Sequence, residues 1–202
     1  SLGQLSAGLA HEIRNPLASI AGAASILQKT TGLDEKAARC LDIIVKESNR
    51  LNDLLTNFLN FARPRSPQYR SVVPESILNH ALDLAAHARK SADLSIVKDI
   101  DGPLPEIVCD AEQVGQVLLN LLINAIEASP AGSTIHLRAA MQDQSTVFEV
   151  SDEGPGIPLS HVDQLFDPFF TTKETGTGLG LPVAHQIIQQ LGGTLQVRHN
   201  WT

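Results

Sequence analysis

The sequence predicts an α-helical hairpin that forms a dimeric four-helix bundle, joined to an α/β two-layer sandwich. Three observations predict it: apolar residues recur every three or four positions through the first 62 residues, strands alternate with helices after residue 75, and the charge changes sign between the two parts. Residues 1–75 carry nine basic and seven acidic groups (+2), and residues 76–202 carry six and fifteen (−9). The boundaries that follow are a hairpin over 1–62, a linker over 63–74 and a second domain over 75–202.

In the first segment the stripe is Leu5, Leu9, Ile13, Leu17, Ile20, Ala24 and Leu27. In the second it is Leu41, Ile44, Ser48, Leu51, Leu55, Phe58 and Ala62, whose alternating steps of three and four make a heptad seam. Between them "TTGLD" supplies a helix stop and a new N-cap at Asp34. Two helices of roughly 25 residues cannot enclose a core alone, so a second copy completes the bundle as a homodimer. The three prolines of "ARPRSPQYRSVVP" then read as the linker. Beyond it come a helix over about 75–90, a strand "LSIVKDI", and a helix over about 110–128. Strands near "TIHLRAAM" and "TVFEVSD" follow, then a long loop, a helix over about 179–191 and a strand "TLQVR". Elements of these lengths make one sheet covered by helices on one face.

The balance of 15 basic against 22 acidic residues, a net charge of −7, excludes a general nucleic-acid binder, because nothing would neutralise a run of phosphates. Cys40 and Cys109 are too far apart for a CxxC pair and suit a reducing cytoplasm without a disulfide or zinc framework. The apolar run "VLLNLLINAI" falls well short of the roughly 20 residues that span a bilayer, so no membrane contact is expected in this fragment. The chain starts without methionine, inside a helical pattern, as a piece excised from a longer parent that could carry a membrane anchor would.

Chemistry concentrates in a few stretches. In "GLAHEIRNPL", His11 lies about 160° from Leu9 and Ile13 around the helix, so it points away from the seam, with Asn15 on its own face and Glu12 adjacent. A neutral imidazole with one nitrogen free is a nucleophile, and a neighbouring carboxylate can hold the proton on the other. The plain alternative is a surface histidine. Pro16 removes a backbone hydrogen bond beside it and loosens the helix there. In "NLLINA", Asn120 and Asn124 share one face of an apolar helix. Their amides either bond nearby backbone or, through an amide oxygen, hold Mg²⁺ together with substrate phosphates. "SDEGPGIP" places Asp152 at a strand end before Gly154 and Gly156, where a carboxylate can accept from an exocyclic amine and glycine lets a flat base approach. "TGTGLGLP" sets Gly176, Gly178 and Gly180 before a helix whose free N–H groups suit phosphate oxygens. In the loop between, Lys173 either reaches a phosphate or stays solvated, and the apolar "LFDPFFTTK" reads as a lid. The remaining histidines, 80, 87, 136, 161, 185 and 199, form no metal-ligand pattern and read as surface or capping residues.

In this order, His11 with Glu12 and Asn15, Asn120 with Asn124, Asp152/Gly154/Gly156, Phe166 to Phe170 and Gly176/Gly178/Gly180 resemble the H, N, G1, F and G2 boxes of two-component sensor histidine kinases. "HEIRNPL" and "PFFTTKETGTGLGLP" look most like the nitrogen-regulation subgroup. The resemblance implies a phosphoacceptor hairpin followed by an ATP-binding domain of the Bergerat (GHKL) fold shared with gyrase, Hsp90 and MutL. It implies that His11 receives the γ-phosphoryl group of ATP, that Glu12 is the base or ring orienter, and that Asn15 positions water when a phosphorylated partner is dephosphorylated. Asn124 matches the Mg²⁺ ligand and Asp152 the adenine-reading aspartate. Asn120 stands where ATP-hydrolysing relatives carry a glutamate base. Phe166, Lys173, Thr177 and Leu181 join the glycines as ATP-binding positions. The implied partners are ATP/ADP, a response-regulator receiver domain and a second copy of the chain. The expected activity is an ATP:protein-histidine phosphotransferase, against a phosphatase-dominant regulator or a non-catalytic nucleotide-gated dimer scaffold. Two departures stand out: Glu127 replaces a basic residue found in some relatives, and the pattern past "GGTLQV" lacks the family's closing strand.

Overall fold

The structure, a computed structural model, describes residues 2–29, 33–62, 65–173 and 176–198, with side chains other than those of residues 2–12, 53, 57, 60–62, 87 and 89–92. It divides into two compact units, 1–65 and 66–202. The first is a pair of helices, α1 (Leu2–Gln28) and α2 (Glu35–Ala62). Asp34 caps α2 as expected, its Oδ1 accepting from the Ala37 N–H at 2.6 Å. Pro16 lies inside α1 without ending it; lacking an N–H, it cannot bond the Glu12 carbonyl.

The heptad stripe divides into two registers of period seven. Leu17 and Ala24 on α1, and Leu41, Ser48 and Leu55 on α2, are covered to differing degrees. Ile13, Ile20 and Leu27 on α1, with Ile44 and Leu51 on α2, remain 40% exposed or more. One register closes the hairpin and the other is left for a further apolar surface. Arg14 braces the pair: its Nε donates to Asn52 Oδ1 at 3.1 Å and its Nη2 to Thr56 Oγ1 at 3.3 Å.

The second unit begins earlier than the prolines suggest. Residues 66–74 are not a free linker: β1 (Arg70–Val72) pairs antiparallel with β3 (Ile107–Cys109), and the Gln68 N–H donates to Asp110 Oδ2 at 2.8 Å. These three-residue strands are too short to leave a periodic signature. Helix α3 (Pro74–Ala92) starts on Pro74, whose missing N–H costs nothing at a first turn. Strand β2 (Ser95–Ile100) runs parallel to β4 (Thr134–Gln142), which pairs antiparallel with β5 (Ser145–Ser151), in the order β2-β4-β5. Helix α4 (Ala111–Ala128) and α3 cover one face, enclosing Leu78, Leu118, Leu122, Ile135 and Leu137. Alternation sends Ile135, Leu137 and Ala139 of β4 inward and His136 and Arg138 outward. On that open face Arg138 pairs with Asp101 at 2.9 Å. Asp110 caps α4, accepting from the Gln113 N–H at 3.0 Å while itself only 2% exposed. Burial pushes the adjacent Cys109 thiol up, and Asp110 adds to it.

Helix α5 (Gly180–Gln190) closes the unit. The strand expected over "TLQVR" is absent: residues 194–198 join no ladder, and β5 has no strand on its outer side among the described residues. A strand exists only by pairing, so an alternating sequence without a neighbour stays irregular. No described helix is long and apolar enough to cross a membrane.

Candidate functional site

Helix α4 supplies the floor of the site. Its inner stripe is buried, which turns the i, i+4 pair Asn120 and Asn124 toward α5, both half-buried. Asn120 Nδ2 donates to the Gly180 carbonyl at 3.1 Å and so ties α4 to the first residue of α5. This amide is therefore engaged with backbone. Asn124 does something different: its Oδ1 accepts from the Lys173 ammonium at 3.3 Å, and the same ammonium lies 2.6 Å from Glu127 Oε2. A neutral amide oxygen already facing a cation is chemically suited to a hard divalent ion, and Asn124 fits the role of a Mg²⁺ ligand on that ground.

One wall is the turn after β5. Asp152 is exposed, with Oδ1 accepting from the Gly154 N–H at 2.8 Å, which fixes the carboxylate and leaves its other oxygen to accept. Gly154 has no room for a side chain: a Cβ would lie 2.7 Å from Asp152 Oδ1 and 3.0 Å from the Ala128 carbonyl at the end of α4. The close approach of this turn to α4 therefore requires glycine. Gly156 follows at φ +72°.

The other wall is the segment that enters α5. The Phe169 N–H donates to the Gly178 carbonyl at 2.9 Å, and both residues have positive φ, 69° and 64°. A Cβ on Gly178 would collide with the Phe169 backbone, and one on Gly176 with Thr171 Oγ1. Thr177 Oγ1 accepts from the Leu179 N–H at 3.3 Å; Leu179 is wholly buried and Leu181 half-buried. The N-cap residue Leu179 makes no side-chain capping bond, and Gly180 and Leu181, the N–H-bearing residues of the first turn ahead of Pro182, can offer their N–H groups to an anion.

The segment between the walls is partly ordered by aromatic contacts. After a 3₁₀ turn over Leu159–Gln164, Phe166 stacks on His185 of α5 at 4.4 Å between centroids, and His161 meets Phe170 edge-on at 5.4 Å. His185 is thus a packing partner, not the surface or capping residue its sequence position suggests; Gln189 Nε2 lies 3.3 Å from its Nε2. A four-residue step on one helix hides a partner nineteen positions upstream.

Asn124, Asp152, Gly154, Lys173 and the 176–180 turn therefore meet in one unit, with Asn120 and Phe166 buttressing α5. His11 and Glu12 belong to α1 of the other unit, and their side chains lie outside the described residues. Asn15 is described and exposed. Glu127, left without a role by the sequence, joins this cluster through Lys173; its spacing from Asn124, three residues on one helix face, was the available signal.

Comparison with known proteins agrees with this division. Residues 1–67 match the His Kinase A (phospho-acceptor) domain, and residues 109–201 match the Histidine kinase-, DNA gyrase B-, and HSP90-like ATPase family. The chain is 38% identical over 197 residues to Sensor histidine kinase ZraS of Escherichia coli (strain K12), covering 98% of this chain and 42% of ZraS. It is 39% identical over 202 residues to Sensory histidine kinase/phosphatase NtrB of Rhodobacter capsulatus, covering 94% of this chain and 56% of NtrB. The chain thus spans about half the length of these curated relatives. Full-length ShkA in complex with AMPPNP superposes with a TM-score of 0.79 at 27% identity, over 94% of this chain and 41% of ShkA. ThkA in complex with the response regulator protein TrrA gives 0.68 at 27% identity, over 95% and 56%.

Proposed function

The chain belongs to the sensor histidine kinase family, and from that premise we propose that it transfers the γ-phosphoryl group of MgATP to His11 and passes it to an aspartate of a response-regulator receiver domain. The observation that carries this reading is the cation-facing oxygen of Asn124 between the two glycine-dependent walls. Asp152 offers its second carboxylate oxygen to an exocyclic amine of the base. Backbone N–H groups at the start of α5 and the Lys173 ammonium meet the phosphates. Asn124 would hold Mg²⁺, which would supply charge neutralisation at the phosphates. Asn120, an amide bonded to backbone, offers no carboxylate to activate water, which favours transfer to a side chain over hydrolysis.

At the acceptor, a neutral His11 ring nitrogen forms the N–P bond as the bond between the γ-phosphorus and the β–γ bridging oxygen breaks, releasing ADP. Glu12 orients the ring and takes its other proton. Arg14 holds α1 against α2 three residues away, giving the acceptor turn a fixed backing beside the proline gap. Transfer of this kind draws on positioning and charge neutralisation more than on covalent chemistry by the protein.

The test is brief exposure to labelled ATP with Mg²⁺ and mass-spectrometric mapping of the modified residue. Acid-labile, base-stable label on His11, abolished in His11→Gln, is the expected result; bound nucleotide without label would point to a non-catalytic scaffold. The exposed side chain of Asn15 favours a second activity, removal of phosphate from the regulator. A His11→Ala chain that still dephosphorylates phospho-regulator, and an Asn15→Ala chain that does not, would establish it.

A further inference from the structure

We infer that Glu127 is a positioning residue that parks Lys173 on the metal-ligating amide, so that loading MgATP exchanges the chain's own ammonium for the divalent ion. The inference rests on the nucleotide reading above and adds a part to it. Asn124 and Glu127 stand three residues apart on α4 and so share a face. Lys173, 46 positions further along, reaches both: its Nζ lies 2.6 Å from Glu127 Oε2 and 3.3 Å from Asn124 Oδ1. The carboxylate supplies the charge that holds the ammonium, and the amide supplies the second acceptor.

An ammonium and a divalent cation cannot share the Asn124 oxygen without strong repulsion. Whatever brings Mg²⁺ to that oxygen must move Lys173 off it. Glu127 then decides the cost of the move, because it is the stronger of the two partners Lys173 leaves. The same displacement delivers a cation to phosphates in a unit that has few others: only six basic residues follow position 75. The acidic residue at 127 therefore governs phosphate neutralisation through a lysine on a distant loop, instead of supplying the charge itself.

A double-mutant cycle tests this on the whole chain: wild type, Glu127→Gln, Lys173→Met and the double variant, each titrated with fluorescent ATP in excess EDTA and again in excess Mg²⁺. Glu127→Gln should tighten ATP about two- to fivefold in excess Mg²⁺, where the lysine must leave, the worth of a half-exposed ion pair, and by less in EDTA, so that the gain from adding Mg²⁺ grows. In the Lys173→Met background the same change should do nothing. Equal tightening in both backgrounds would mean that Glu127 repels nucleotide directly, and no tightening in either would mean that it does not hold the lysine; each overturns the inference while nucleotide binding stands. Failure of the wild-type chain to bind ATP in either condition overturns the nucleotide reading itself. Glu127→Asp, which restores the carboxylate, should return the Mg²⁺ dependence toward wild type.

Discussion

Along the hairpin, Ile13, Ile20 and Ile44 are 40–49% exposed, whereas in the α/β unit Leu78, Leu122, Ile135 and Leu137 are sealed from solvent. Both regions obey a repeating apolar pattern, but only the second has enough layers to satisfy it within one chain. A helix pair offers each helix a single neighbour, so half of a heptad stripe has nothing to cover it. A sheet with helices on one face encloses its apolar side completely and leaves the other to charge. Self-sufficiency here is a matter of layers, not of composition.

That contrast can be broken deliberately. The largest effect belongs to the sealed core: Leu122→Ala should cost about 3 kcal/mol, as removal of a buried leucine does, visible as a lowered urea midpoint for the α/β unit. If the hairpin signal moves equally, the two units are not independent. Next comes the uncovered register. Ile20→Ser should leave the chain folded but weaken self-association by about 2 kcal/mol per dimer, roughly thirtyfold in dissociation constant, read by sedimentation across a dilution series. An unchanged constant would assign that register to some other surface.

Smaller is Asp110→Ala, which removes a helix cap and strands the N–H groups of Gln68 and Gln113; about 1.5 kcal/mol of stability should go with it. Smallest is a pH effect at Cys109. Burial raises its thiol above the ordinary value of 9.0, so the folded state keeps a proton that the unfolded chain has begun to lose. The contribution is complete below that value and disappears as pH rises through the folded one. Unfolding free energies from urea titrations below and above about pH 9 should fall slightly more in wild type than in Cys109→Ala.

Much of this organisation was legible from residue order because it depends on local period. The seams, the Asp34 cap and the alternation of β4 each need only a few neighbours in sequence. The candidate site was legible as a set of separate motifs, since glycines beside a strand end or helix start advertise close approach. What escaped notice is non-local or pairing-dependent: the short β1 and β3, which exist through each other; the Phe166 stack on His185; and the Lys173 bond to Glu127. The expected strand over 194–198 failed for the converse reason, a suitable sequence with no neighbour to bond.

The pairing of Phe169 with Gly178 has a consequence for variation. The Phe169–Gly178 hydrogen bond closes a loop at one point, and the entropy of such closure depends only weakly on loop length. Doubling such a loop costs only about 0.6 kcal/mol in closure entropy. An insertion there should therefore cost the fold little while displacing Lys173 from Glu127, whereas a single added methyl at residue 178 would meet the Phe169 backbone.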